Sequence, residues 1–231
     1  TDKCGGKYKS CTCASGYEWK DGKCQTKGAI LGQCTGYAKN CAIGQILNSG
    51  GTCTTNKESD KTPIGVIVYI GSDNCGYAMT ASSIATGIAW GNYGTDISSL
   101  PNYTSWSSAI KDFDVSGNTT KIIQTGSSNN YPAAYAALNY APSTAPISKG
   151  KWMLPTAGIL NSLYTNLNAI NNTISKLGGT QLTNDNEHIW SSSEYDLSSA
   201  WIFCTGNGRN GVNYSRKSDT VERYVRPVLA F

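Results

Sequence analysis

Apolar residues recur most regularly after the segment KWMLPT. Ile159, Leu160, Leu163, Leu167, Ile170, Ile174 and Leu177 follow one another mostly in steps of three and four. That spacing lays one apolar stripe along a helix. Thr156 stands where an N-cap hydroxyl would serve, and Gly178-Gly179 supplies a stop. The spacing predicts one core-facing helix of about five turns. Its outer face is Asn and Ser without a basic stripe, which argues against a membrane-surface role.

Other runs follow a different rule. TPIGVIVYIG, residues 62–71, is a continuous β-branched run and reads as a buried strand. GYAMTAS, residues 76–82, reads as its partner after a Ser72-Asp73-Asn74 turn. HIWSSSEY and AWIF (200–203) read as short strands, and YVRPVLAF as one final strand with Pro227 at an edge or bulge. Between these groups, residues 92–150 are rich in Gly, Asn, Ser and Tyr, with short helices expected at 104–113, 118–124 and 131–139. Strands at both ends and helices between predict an α+β fold whose N- and C-terminal strands lie close together.

Two segments stand outside this order. CTGNGRNGVNYSRKSDTVERY, residues 204–224, has neither a helical nor a strand period, yet it lies between patterned flanks. Residues 1–30 carry the turn signals Gly16-Tyr17 and Asp21-Gly22 among closely spaced cysteines. A unit that small needs covalent staples to hold a shape. It is read as a disulfide-rich module, either a spacer or an extension packed on the main domain, ahead of a domain spanning 31–231.

Cysteine usage sharpens this. Cys4, Cys11, Cys13, Cys24, Cys34, Cys41, Cys53 and Cys75 crowd the first third of the chain, and Cys204 stands far from them in sequence. The spacings lack paired zinc knuckles, so they read as disulfide candidates in an oxidising compartment, with connectivity open. No apolar run is long enough to span a membrane. The expectation is an extracellular or bacterial cell-surface protein, attached to membrane or pilus only through an anchor outside this sequence.

Charge excludes more than it identifies. Of 231 residues only 15% are charged, and the net charge is +4. Residues 1–30 hold six Lys against three acids, and 201–231 hold four Arg and one Lys against two. Two mildly basic ends do not make the dense stripe that nucleic acid requires. The low charge leaves Ser, Thr, Asn, Gly and Tyr to form the polar surface, a mix suited to extracellular proteins.

Catalytic patterns are missing. His188 is the single imidazole and no G-x-S-x-G frames a serine. GNGRNG has glycines without a strand–helix context. DFDVSGN (112–118) opens like a calcium loop but puts Ile123 where a bidentate Glu belongs, so it reads as a turn. NDNEH (184–188) reads as a loop before a strand. Sequons at Asn102, Asn118, Asn171 and Asn213 are too short a motif to weigh. The chain is therefore read as a non-enzyme, with no catalytic residues, metal or cofactor.

Taken in order, PIGVIVYIG, AMTASSIATGIAWGNYGTDIS, KWMLPTAGILNSLYTNLNAIN, WSSSEYDLSSAW and VRPVLAF carry a resemblance. They resemble bacterial C-type-lectin-like domains close to the DUF1566 (Legionella collagen-like C-terminal) family, more distantly the formylglycine-generating enzyme fold. The ending W-S-S-S-E … V-R-P-V-x-A-F is most similar to the variable proteins of diversity-generating retroelements in bacteria and phages. The N-terminal segment more weakly resembles surface-protein or pilin-like modules.

The resemblance implies a binding protein whose C-terminal region, about 195–224, presents diversified side chains on a lectin-like scaffold. In such systems adenines in AAY codons are rewritten, reaching most residue types but not Glu, Lys, Met, Gln or Trp. It implies ligand-binding roles for Ile202, Cys204, Thr205, Asn207, Arg209, Tyr214, Arg216, Ser218, Asp219, Val221, Arg223 and Tyr224. Lys217 and Glu222 lie outside that code. Trp190, Ser191, Ser192, Ser193, Glu194, Trp201, Val225, Arg226, Pro227 and Phe231 would be framework. The expected partner is an unidentified protein or glycan, bound by a monomer. Tyr214, Arg216, Asp219 and Tyr224 are expected exposed and clustered, with Trp190, Trp201 and Pro227 buried. A fixed-specificity adhesin for anionic polysaccharide would instead use Arg209, Arg216, Lys217 and Arg223 as a sulfate-binding cluster. An oxidoreductase of the formylglycine type would need a reactive cysteine pair, and Cys204 supplies one cysteine where a variable residue is expected. The calcium and sugar signatures E-P-N and Q-P-D of animal lectins are absent.

Overall fold

The structure is a computed structural model that describes residues 17–20, 23–26, 31–143, 147, 149–183, 187–205 and 211–231. Cys4, Cys11, Cys13, Asn207, Arg209 and most of the NDNEH loop lie outside the described residues, and so does any pairing of Cys24.

Strands β1 (Tyr17–Lys20) and β2 (Lys23–Thr26) pair antiparallel with Lys20 opposite Lys23. The main body opens with β3 (Ile46–Asn48), β4 (Cys53–Thr54), β5 (Pro63–Ile70), β6 (Gly76–Met79) and β7 (Ala85–Thr86). Helices α1 (Trp106–Ala109), α2 (Val115–Thr125) and α3 (Pro132–Asn139) follow, then β8 (Trp152–Met153), α4 (Ala157–Thr165) and α5 (Leu167–Lys176). The chain finishes with β9 (His188–Glu194), β10 (Ser199–Cys204), β11 (Gly211–Arg216), β12 (Arg223–Val225) and β13 (Val228–Ala230). The result is mixed α+β with two main sheets.

One sheet has six strands in the order β4-β3-β5-β6-β13-β8, the other five in the order β11-β10-β9-β12-β7. The early strands and the last strand therefore share a sheet, with β13 antiparallel to β6. Phe231 closes this end: it exchanges hydrogen bonds with Gly76 (3.0 and 3.1 Å), while Gly32 N donates to Ala230 O at 2.7 Å. A side chain at Gly76 would meet the Phe231 ring, which is why the smallest residue stands there. Val66, Val68 and Met79 of the first sheet, Ile159, Leu160, Leu163, Ile170 and Ile174 of the helices, and Ile189 and Phe203 of the second sheet form one core between the layers.

Among the described residues, two disulfides pin the early strands: Cys34–Cys75 and Cys41–Cys53, linking residues 41 and 12 apart. The Ser72–Asn74 turn joins β5 to β6. Asp73 Oδ1 accepts from Cys75 N at 3.0 Å, and Asn74 takes a positive φ of 60° that Asn tolerates.

The structure corrects two sequence expectations. The five-turn helix is two helices, α4 and α5, broken at Asn166. Asn166 leaves helical geometry (φ −117°, ψ 18°), and its Nδ2 donates to Ser162 O at 2.9 Å. Its side chain thereby competes for a carbonyl the helix would otherwise use. The final strand is likewise two strands in different sheets. β12 lies between β9 and β7, β13 between β6 and β8, and the chain crosses over at Arg226-Pro227. Proline cannot continue a ladder, so the break falls where the N–H is missing. Of the short helices expected between 104 and 139, the first shrinks to the single turn α1.

Candidate functional site

The site is built on β9, β10 and β11, and its frame begins with an apparent contradiction. Ser191, Ser192, Ser193 and Glu194 are consecutive polar residues with no exposed surface. The reason is a bulge: Ala200 pairs with Glu194 but Ile202 pairs with Trp190, so β9 carries two more residues than β10 across that interval. The extra backbone turns inward and its polar groups are met locally. Ser192 N donates to Pro155 O (2.7 Å), and Trp90 Nε1 donates to Ser191 O (2.7 Å). Ser193 Oγ donates to Asp112 Oδ2 (2.6 Å) and accepts from Ala157 N (2.9 Å). Asp112 is buried, also accepts from Asn118 Nδ2 (2.7 Å), and has its carboxyl pushed up by desolvation. DFDVSGN is thus only in part the turn expected: Val115–Asn118 form the first turn of α2. Asp112 locks α2 and α4 to β9, and Asp114 caps α2 through Gly117 N at 3.0 Å.

β10 is covered on both faces. Ala200, Ile202 and Cys204 join the cluster around Trp90 and Trp190. Phe203 and Trp201 point the other way, Phe203 into the inter-sheet core and Trp201 against Ala109 and Ala157. Three residues expected on the displayed surface are therefore buried: Ile202 (4% exposed), Cys204 (2%) and Thr205 (8%). Ile202 and Cys204 lie in a strand interior to the sheet, with a neighbour on each edge and a core on each face, and Thr205 directly follows it.

Two buried ion pairs fix the ends of the frame. Lys217 Nζ contacts Glu194 Oε1 and donates to Thr95 O at 2.7 Å, beneath the Trp90 ring at 4.9 Å. Arg226 donates from Nε and Nη2 to the two oxygens of Glu187, each at 2.9 Å. Its guanidinium is pulled below its usual range by desolvation, against the attraction of Glu187. Lys217 is thus unavailable to a sulfate-binding cluster. Arg223 is also engaged: Nη2 contacts Ser215 Oγ (2.5 Å) and Asp219 Oδ2 (3.2 Å), while Nη1 lies 2.5 Å from His188 Nδ1. Arg216 is the one member of that proposed cluster that is exposed among the described residues.

The surface changes character at the edge strand β11. Across the β10–β11 ladder, Trp201 faces Tyr214 and Ser199 faces Arg216. Helix α4 covers the Phe203–Val212 end, where the Tyr164 and Phe203 ring centroids lie 6.5 Å apart. Toward the Arg216 end the face is open. Tyr214 is 47% exposed, and in the turn after β11 Val221 is 77% exposed. Arg216, Ser218 and Glu222 are exposed too, Glu222 at a positive φ of 56°. Tyr195 stacks on Tyr214 (centroids 4.1 Å, interplanar 17°), and Trp201 meets both rings edge-on at 5.5 and 5.9 Å. Beside this stack Ser199, Tyr214, Ser215, Arg216 and Asp219 line an open depression of about 420 Å³. Ser215 Oγ donates to Asp219 Oδ2 at 2.6 Å.

No protein-family model matches the sequence, and no curated protein matches it. Similarity to solved structures is found. A fimbrial protein from Bacteroides ovatus ATCC 8483 superposes with a TM-score of 0.55 at 13% identity, over 83% of this chain. This chain spans 49% of that protein's length. At that identity the likeness concerns the fold.

Of the four residues expected to cluster in the open, Tyr214, Arg216 and Asp219 meet in one depression, Asp219 half-buried. Tyr224 does not join them. It is half-buried in β12 and lines a second depression of about 390 Å³ with Ser82, Thr86, Gln181 and Glu187. Trp190, Trp201 and Pro227 are buried. Sequence reasoning did not single out Tyr195, Ser199 or Ser215. The segment read as lacking a strand period forms β11 over Gly211–Arg216, and its alternation puts Val212, Tyr214 and Arg216 on one face.

Proposed function

We propose that this chain is a surface-displayed ligand-binding protein whose domain is C-type-lectin-like and whose C-terminal region presents diversified side chains, as in retroelement variable proteins. The carrying observation is the contrast along residues 190–226. Trp190, Ser191–Glu194, Trp201, Lys217 and Arg226 are buried in a bonded frame, while Tyr214, Arg216, Ser218 and Val221 project from its edge. Side chains that project from a rigid edge can change without disturbing packing, the requirement for a site selected variant by variant. The buried positions Ile202, Cys204 and Thr205 drop out of the presented set on this reading.

Surface location is supported by the Cys34–Cys75 and Cys41–Cys53 disulfides, which persist in oxidising compartments. The fimbrial description of the structurally similar Bacteroides ovatus protein agrees with it. Among the described residues no helix is long and apolar enough to cross a membrane.

The test is sequencing this locus across a bacterial or phage population. Substitutions should concentrate at adenines in the codons of the exposed positions, spare Lys217 and Trp201, and match a template copy near a reverse-transcriptase gene. Variation spread evenly over the gene, with no template copy, would remove the retroelement reading.

A further inference from the structure

The depression beside Tyr214 has features that define a ligand class. Resting on the reading of this edge as a binding surface, we infer that it takes a neutral saccharide. The Tyr214 ring is held before any ligand arrives: one face lies on Tyr195 at 4.1 Å, and Trp201 abuts it edge-on at 5.9 Å. A fixed, half-exposed aromatic ring offers flat apolar area at little entropic cost. The C–H face of a pyranose is the complementary shape.

Polar residues line the depression beside that ring. Ser199 and Ser215 contribute hydroxyls, Arg216 a guanidinium and Asp219 a carboxylate, all lining the same space of about 420 Å³. Asp219 is anchored through Oδ2 by Ser215 at 2.6 Å and Arg223 at 3.2 Å, so the carboxylate is oriented rather than mobile. A planar acceptor and a planar donor fork that line one depression with an aromatic ring suit adjacent hydroxyls, which can donate to one and accept from the other.

Charge separates neutral from acidic sugars. Lys217 is buried against Glu194, and Arg223 is engaged by Asp219, Ser215 and His188. Arg216 is then the exposed cation at the depression, with Asp219 beside it. Asp219 is neutralised by Arg223, which leaves Arg216 a single cation, too sparse a charge to gather a sulfated chain.

The experiment titrates the isotopically labelled chain with neutral oligosaccharides ending in galactose, glucose, mannose, fucose or N-acetylglucosamine, and separately with heparin. Amide shifts are followed by NMR. At least one neutral sugar should saturate and shift residues 199 and 214–219, and Tyr214→Ala should weaken it about tenfold. Asp219→Asn and Ser199→Ala, which leave the stack in place, should weaken it as well. Saturable heparin binding at these residues with silent neutral sugars overturns the inference.

A random peptide library selected on the wild-type chain separates the two readings. Peptides lost on Tyr214→Ala, with every sugar silent, overturn the saccharide class and leave the binding surface standing. Sugar binding that ignores all three substitutions overturns both.

Discussion

Lys217 is held against Glu194 with no exposed surface on either side chain, three residues beyond the exposed ring of Tyr214. The contact ties the turn after β11 to the bulged end of β9. It places a fixed point beside the residues that project to solvent, and in the sequence only the place of Lys217 outside the AAY code hints at so abrupt a change.

Breaking this pair should be costly. Lys217→Met strands a buried carboxylate and should lower stability by about 3–5 kcal/mol at pH 8. Adding Glu194→Leu should recover much of that loss, because two apolar residues leave no unpaired charge. Urea denaturation of the single and double variants, read as a mutant cycle, checks this.

The pair should also leave a mark on pH dependence. Burial pushes the Glu194 carboxyl up to about 7 from an ordinary 4.5, against the opposing pull of Lys217. An acid whose folded pKa is raised holds its proton more tightly when folded. Its contribution is complete below about 4.5 and is lost as pH rises toward and through about 7. Wild-type stability should therefore carry a falling component across that window that Glu194→Gln removes. Lys217→Met should move it to higher pH.

At the sheet crossover, Arg226→Ala should cost about 3–5 kcal/mol by leaving Glu187 buried without its partner. Arg226→Lys should rescue poorly, since one ammonium cannot replace the two parallel bonds made by Nε and Nη2. Thermal melts of the three proteins would order them wild type, Lys, Ala.

The two described disulfides should contribute unequally. Loop-closure entropy assigns about 4 kcal/mol to Cys34–Cys75 and about 3 kcal/mol to Cys41–Cys53, following their separations of 41 and 12 residues. Paired Cys→Ala variants in denaturant should preserve that order.

The regular elements were legible because they obey a local period. The Ile159–Leu177 stripe, the Pro63–Ile70 run and the Gly76–Met79 partner fall where apolar spacing puts them. What stayed hidden depends on long-range context. Asn166 breaks its helix through a side-chain bond to Ser162 O, and Pro227 marks a change of sheet rather than a bulge in one strand. Three serines that the resemblance places in the framework are buried, and only the β9 bulge shows how, because it brings them to Pro155, Asp112 and Ala157. Ile202 and Cys204 were assigned to the display by codon reach, a genetic criterion blind to the fact that β10 has neighbours on both edges. Tyr195 and Ser199 were missed because only the β10–β11 register and the ring stack bring them beside Tyr214 and Arg216.

The central claim is that β11 and the turn after it carry replaceable side chains on a frame that does not tolerate change. Saturation mutagenesis of residues 188–226, read by protease resistance of the displayed domain, tests it most directly. Arg216, Ser218 and Val221 should accept most side chains with stability within about 0.5 kcal/mol, and Tyr214, which stacks on Tyr195, should lose no more than about 1.5 kcal/mol. Trp190, Ser193, Glu194, Trp201, Ile202, Cys204, Lys217 and Arg226 should accept few. If Tyr214, Arg216 and Ser218 prove as intolerant as Trp201 and Lys217, the edge is part of the frame and the account is wrong.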